Sequence, residues 1–353
     1  MATNIEVEHN NEDTLDVMQL ISDIKHSQLI NSYNTATRTV DFLKSLISEQ
    51  EWTTAQELMD LVKKRMKIIS TSLPYEVVSL NILRHSLKLI REEYRSILKK
   101  KKGEDLSPPQ FVTPDYREVL DYSETLPDLK ARLLDQLTEY KVEMETSCEN
   151  IANQASEHIH TNETVLTVGR SHTVERFLIS AAKKTTFEVI VAESSNILEG
   201  HTMANNLAEA DIGTTLIPDT NVFALMPRVN KVIIGTDTVM ANGGLRAQAG
   251  LYVVALAAQH YSVPFMALAH MYKFTPVYVG PHDKTTFDLL GSPADVLPYS
   301  SGPMLNKVKV FNPVFDYIPP ELVTLIITQQ GGNAPSYVYR ILTELYVQED
   351  YDA

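Results

Sequence analysis

The chain has 353 residues, 44% apolar and 22% charged, which suits a full hydrophobic core and two domains and excludes the disordered classes. A formal net charge of −14 excludes a general electrostatic footprint for nucleic acid, so direct nucleic-acid binding is not expected. The single cysteine, Cys148, excludes an internal disulfide framework and a multi-cysteine zinc site.

No apolar run reaches the ~18–20 residues of a membrane span, and the acidic start MATNIEVEHNNEDTLD is unlike a targeting peptide. No membrane partner is expected, and the cytosol is the expected compartment. Punctuation then divides the chain. Of thirteen glycines only Gly103 precedes residue 160, and twelve of the seventeen prolines follow it. Few long helices should therefore come first, and many short elements after.

Val17, Leu20, Ile21 and Ile24 recur at helical spacing, as do Val40, Leu43, Leu46 and Ile47. Thr53 or Thr54 is placed to cap a helix through Leu58, Leu61 and Val62. Pro74 suits the first turn of a helix through Leu80, Leu83, Leu87, Ile90 and Tyr94. The basic run Lys99–Lys102 reads as that helix's C-terminus. A long helix is expected from Pro127 to His158. Short runs rich in Val, Ile and Leu then follow: Thr164–Gly169, Phe187–Ala192, Thr214–Pro218, Lys231–Gly235 and Pro264–Ala269. Helical stretches separate them, at His172–Lys184, Gly200–Ala210, Asn221–Met226 and Leu245–Tyr261. This alternation predicts βαβ units.

The expected organisation has an N-terminal helical domain over residues 1–100 and a Pro-containing linker or mobile loop over 101–125. A long connecting helix follows over 126–160, then a Rossmann-like domain over 161–353. The fold class is α/β, an all-α N-terminal domain followed by a mostly parallel sheet with helices on both faces.

Asn230–Phe274 is the most informative stretch. It reads as a strand, a polar loop beginning at Asp237, a glycine pair (Gly243-Gly244) opening a helix, and a second strand. A carboxylate at a strand's carboxyl end, above a helix start, is where parallel α/β folds bind ligands. Asp237 suits a general acid or base, or equally a brace for the loop Asn242–Gly244. Gly169-Arg170-Ser171-His172 follows the first strand and reads as a phosphate cradle or a capped helix start. It is no nucleotide fingerprint, so no cofactor is expected. Cys148 reads as a packed helical thiol rather than a nucleophile. His158 and His160 are two apart, the wrong spacing for a shared helical metal site, so no metal is expected. Asp316, in NPVFDYIPPEL, ends a strand-like piece beside the helix start expected at Pro319-Pro320-Glu321.

GTDTVMANG (Gly235–Gly243) with NPVFDYIPPELVTLIIT (Asn312–Thr328) resembles the superfamily of the regulatory subunits of eukaryotic translation initiation factor 2B, which includes methylthioribose-1-phosphate and ribose-1,5-bisphosphate isomerases. Within it, His158–Leu178, Asn230–Ala247 and Gly331–Tyr346 look most like the beta-subunit branch. The isomerases place a cysteine just after the first strand, where this chain has Gly169-Arg170-Ser171. Cys148 lies upstream, on a helix from which it is not expected to substitute. Their catalytic aspartate matches Asp237, but Ala247 and Gln248 stand where their loop carries an Asn-Lys pair for the sugar phosphate.

The resemblance therefore implies a non-catalytic subunit of the exchange factor for initiation factor 2, with Asp237 a structural relic. Arg170, Ser171, Asp237, Arg246 and Asp316 would form a vestigial ligand pocket. The implied partners are the alpha, delta, gamma and epsilon subunits and initiation factor 2 through its alpha subunit, the catalytic domain belonging to epsilon. Ala269–Tyr278 and the closing helix Tyr337–Tyr346 are the candidate interface surfaces. A sugar-phosphate isomerase or a metabolite sensor using the pocket around Asp237 is the alternative.

Overall fold

A computed structural model describes residues 15–26, 31–102, 121–194, 198–278 and 289–351. The chain separates into two compact units, one of Met1–Met144 with Leu345–Ala353 and one of Glu145–Glu344. The ranges read from sequence divide the chain at residues 100, 125 and 160 instead. Residues 103–120 of the expected linker lie outside the described residues.

The helical unit holds α1 (Leu15–Lys25), α2 (Ser32–Glu49), α3 (Ala55–Ser72), α4 (Val78–Lys102) and most of α5 (Leu129–Asn153). Their apolar stripes are buried, among them Leu20, Leu43, Leu46, Leu58, Val62, Leu83 and Leu87. Thr54 is the cap of α3. Its hydroxyl accepts from the Glu57 amide at 3.2 Å, and the Glu57 carboxylate accepts from the Thr54 amide at 3.3 Å, a capping box. Pro74 corrects the sequence reading, because it lies in the turn before α4 rather than in its first helical turn. The Glu76 carboxylate accepts from the Ser79 amide at 3.1 Å and satisfies that helix start instead.

The second unit is built on a seven-stranded sheet. In chain order the strands are β1 (Thr164–Val168), β2 (Glu188–Ala192), β3 (Gly213–Ile217), β4 (Lys231–Gly235), β7 (Phe265–Leu268), β9 (Leu325–Thr328) and β10 (Gly331–Asn333). The spatial order is β10-β9-β7-β4-β1-β2-β3, parallel except for β10 against β9. Alternate residues Val165, Val189, Val191, Ile233, Leu268 and Ile327 bury one sheet face. They pack against Ile151 of α5, Ala155 of α6 (Ala155–His158), Phe177 and Leu178 of α7 (His172–Ala182), and Met203 and Leu207 of α8 (Glu199–Glu209). The first strands run outward to β3, and β4 then returns to pair on β1's free side. The order reverses between β1 and β4, where such sheets open a ligand crevice.

The sequence reading of Leu245–Tyr261 as one helix is corrected. Residues Leu245–Gln248 form β6, paired antiparallel with β5 (Thr238–Val239) and with β8 (Phe315–Ile318) in a separate three-stranded sheet. The Gly243-Gly244 pair turns this hairpin and opens no helix. Gly243 has φ +82, and an added Cβ would lie 2.5 Å from the Pro335 carbonyl oxygen. The helix α10 (Leu251–His260) starts only after Gly250, at φ +98. Asp316 lies inside β8 rather than at its end, and Pro320–Leu322 makes one 3-10 turn where a helix was expected.

One buried side chain ties β7's end to two helices. His270 is 6% exposed, with Nδ1 2.8 Å from the Ser147 hydroxyl on α5 and Nε2 2.9 Å from the Thr173 hydroxyl on α7. Burial, reinforced by the charges of Lys273 and His172, pushes its pKa down to about 3. The unfolded imidazole gains its proton near pH ~6.5, so the folded state binds fewer protons between these values. Its stability is therefore full above pH ~6.5 and is lost as pH falls from there towards 3. The unfolding free energy of wild type from urea titrations should fall between pH 7 and pH 5, by up to about 1.4 kcal/mol per pH unit from this residue. His270→Gln, which keeps both hydrogen-bonding functions, should flatten that dependence, and an unchanged slope would refute the assignment.

Candidate functional site

The crevice at the order reversal is lined by loops leaving β1, β2 and β4 and by the β5–β6 hairpin. Gly169 follows β1 at φ +60, and a Cβ there would lie 2.8 Å from the Gln248 side-chain oxygen and 3.3 Å from Ser194 Cβ. Gln248, at the end of β6, donates from Nε2 to the Ser194 hydroxyl at 2.6 Å. Its amide thus fills the space over the turn that was read as a phosphate cradle. Across the crevice Ser171 presses on Gly235 at the end of β4, where a Cβ would meet the Ser171 hydroxyl at 2.4 Å.

Asp237 is engaged from several sides. One carboxylate oxygen accepts from Arg246 Nε at 2.7 Å and from Thr238 Oγ1 at 2.9 Å, and lies 2.5 Å from an Arg246 terminal nitrogen. The Arg246 side chain is only 4% exposed and that of Asp237 29%, and the guanidinium stacks over the Phe315 ring at 4.8 Å. Lys273 adds a second cation, its ammonium donating to the Thr236 carbonyl at 2.8 Å. Burial lowers the Lys273 pKa, and the Asp237 charge acts in the opposite direction.

The structure does not bring all five expected pocket residues together. Ser171, Asp237 and Arg246 line the crevice, while Arg170 is exposed and pairs with Glu175 at 3.5 Å. Asp316 faces away. It sits opposite Ala247 in the β6–β8 register, on the face of β8 opposite Tyr317, which pairs with Arg246. Its carboxylate accepts from the amides of Gly250 at 2.7 Å and Tyr252 at 3.2 Å, capping α10. Ser194, Lys273 and the plugging role of Gln248 carry no local sequence signal, because each arises from long-range packing.

Cys148 needs a correction. Its sulfur lies 3.9 Å from His172 Nδ1, at the start of α7 just beyond Ser171, so the packing of α5 on α7 erases the separation in sequence. Burial raises the thiol pKa, with Arg176 pulling the other way, so proximity yields no thiolate. Among the described residues no group of three or more His, Cys, Asp or Glu is gathered to hold a metal ion, and no helix is long and apolar enough to cross a membrane. His158 stacks on Phe177 at 6.3 Å.

The expected interface surfaces are partly buried. Ala269, Met271, Tyr272 and Phe274 are core, leaving Val277 and Tyr278 exposed in that stretch. In α11 (Val338–Leu345) Ile341 and Leu342 are buried and Tyr339 is exposed. An apolar exposed stripe also lies on α10, at Tyr252, Val253 and Leu256, beside Tyr261 and Phe223 of α9 (Val222–Leu225), whose rings meet at 5.2 Å.

Residues 29–335 match the model of the Initiation factor 2 subunit family. The chain belongs to that family. Within the Initiation factor 2 subunit family it is 38% identical over 366 residues to the translation initiation factor eIF2B subunit beta of Dictyostelium discoideum, covering 93% of this chain and 94% of the relative. It is 33% identical over 380 residues to the eIF2B subunit beta of Schizosaccharomyces pombe, covering 95% and 96%. The crystal structure of eIF2B beta from Chaetomium thermophilum superposes with a TM-score of 0.72 at 27% identity, covering 96% of this chain and 92% of that one.

The Asp237–Arg246 pair generates a directional prediction. Asp237→Leu takes the carboxylate from a buried guanidinium, whereas Arg246→Met leaves a carboxylate that reaches water. Asp237→Leu should therefore cost more, about 2–3 kcal/mol, below the ~3–5 of a fully buried pair because Asp237 is partly solvated. The double variant should be less destabilised than Asp237→Leu alone. Strictly additive denaturation energies would contradict this.

Proposed function

We propose that this chain is a beta-type regulatory subunit of the guanine nucleotide exchange factor for initiation factor 2, with no turnover of its own. The observation that carries this reading is similarity over nearly the whole chain to beta subunits from two organisms. In this role it assembles in the cytosol with the delta, alpha, gamma and epsilon subunits, epsilon carrying the catalytic domain. The assembled core binds the alpha subunit of initiation factor 2 and responds to its phosphorylation.

The crevice supports a scaffold role. One carboxylate oxygen of Asp237 is committed to Arg246 and Thr238, which suits a brace for the hairpin. A phosphate would have to displace the Gln248–Ser194 bond and approach beside a carboxylate. We assign pairing with delta to the apolar face of α10, whose exposed Val253 and Leu256 suit the core of a subunit interface.

Native mass spectrometry of the complex purified through this chain should report the other four subunits together. Val253→Asp with Leu256→Asp should remove delta while leaving the circular dichroism of the chain unchanged. Recovery of a stable monomer that ignores all four partners would sink the reading. So would turnover of methylthioribose-1-phosphate or ribose-1,5-bisphosphate that Asp237→Asn abolishes.

A further inference from the structure

Residues 345–351 belong to the helical unit, where a cluster of ion pairs sits beside an apolar contact. Asp350 is fully buried. Its carboxylate makes two bonds to the Arg91 guanidinium on α4, one of them 2.9 Å between Oδ1 and NH2. Lys63 of α3 brings its ammonium to 3.5 Å from the same carboxylate, and Arg84 donates from Nε to the Asp350 carbonyl at 3.3 Å. Glu349 lies 4.0 Å from Arg91, at the exposed rim. Three cations of two neighbouring helices thus converge on one residue of a 3-10 turn, Gln348–Asp350. Upstream of it, Tyr346 and Val347 are each 3% exposed.

The α3–α4 surface is incomplete by itself. A guanidinium buried without its carboxylate costs several kcal/mol, so this surface requires an anionic occupant. An Arg–carboxylate fork also selects for a group presented in one orientation, which a short turn supplies. The family match ends at residue 335, so this occupant lies outside the stretch which that model describes.

We propose that Lys63, Arg84 and Arg91 form a receptor site for an acidic peptide, and that the chain's own Tyr346–Tyr351 is its tethered, releasable ligand. The site takes a carboxylate carried on a 3-10 turn behind an apolar Tyr-Val anchor. Tethering keeps it filled, because a short connection holds the segment at an effective concentration of order millimolar. Any competing acidic segment must therefore match that concentration to enter.

Carboxypeptidase digestion and hydrogen exchange on the full-length chain test the proposal together. Trimming of wild type should stall before Asp350, while Asp350→Asn should be trimmed past it at least tenfold faster. In the same variant the amides of residues 346–351 should lose protection while those of α2, α3 and α4 keep theirs. A synthetic peptide of residues 346–353, added at roughly millimolar concentration, should accelerate trimming of wild type. The peptide carrying Asp350→Asn should not. Equal stalling in wild type and Asp350→Asn would overturn the proposal, since charge would then not hold the tail. Loss of protection throughout the helical unit would overturn it too, because the segment would then be ordinary core. Should Asp350→Asn fail to fold, Arg91→Lys keeps the charge but loses the fork, and intermediate trimming with intact helices is expected. Wild-type stalling in that variant is the refuting result.

Discussion

The arrangement at the carboxyl edge of the sheet depends on the contact between Arg246 and Asp237. Arg246 is a β6 residue whose charge is taken from water, and Asp237 is the carboxylate within its reach in the hairpin. In a strand a slip of one residue reverses every side chain, so such a slip would take the guanidinium away from Asp237. The pair therefore sets which residues of β6 face the crevice. Once Arg246 is fixed, Gln248 two positions on must point the same way, towards Ser194 and Gly169. Ala247 points oppositely, towards the side where Asp316 caps α10.

Buried polar groups elsewhere follow the same logic of mutual satisfaction. His270 sits between two hydroxyls, and the Lys231 ammonium lies 2.8 Å from the Glu163 carboxylate while donating to the His158 carbonyl at 2.5 Å. Such contacts add little net stability over apolar packing, but breaking one leaves a costly orphan. They make alternative packings expensive. The polar groups of the crevice are likewise turned on one another.

Much of this was legible in the residues, and the gaps have a common cause. The strands β1, β2, β3, β4 and β7 were readable because each is a short apolar run bounded by turn residues, a local property. The Thr54 cap was readable because a capping box spans only four residues. Leu245–Gln248 was misread because Leu, Arg, Ala and Gln are all strong helix formers, and only pairing with the distant β8 makes them a strand. Asp316 was seen as an acidic residue near a helix start, but the helix it serves begins at Leu251. Cys148 was judged remote by counting residues, a measure that the packing of α5 on α7 defeats.

The contact between Gly169 and Gln248 bears on how this scaffold can change over generations. Any side chain at Gly169 would strain a backbone at φ +60 and evict the amide lying 2.8 Å away. A shorter residue at position 248 would give up the Ser194 bond and open a void against the turn. Neither position can change alone without loss. Opening the crevice at this point therefore demands coincident changes at both positions, each of which is harmful alone.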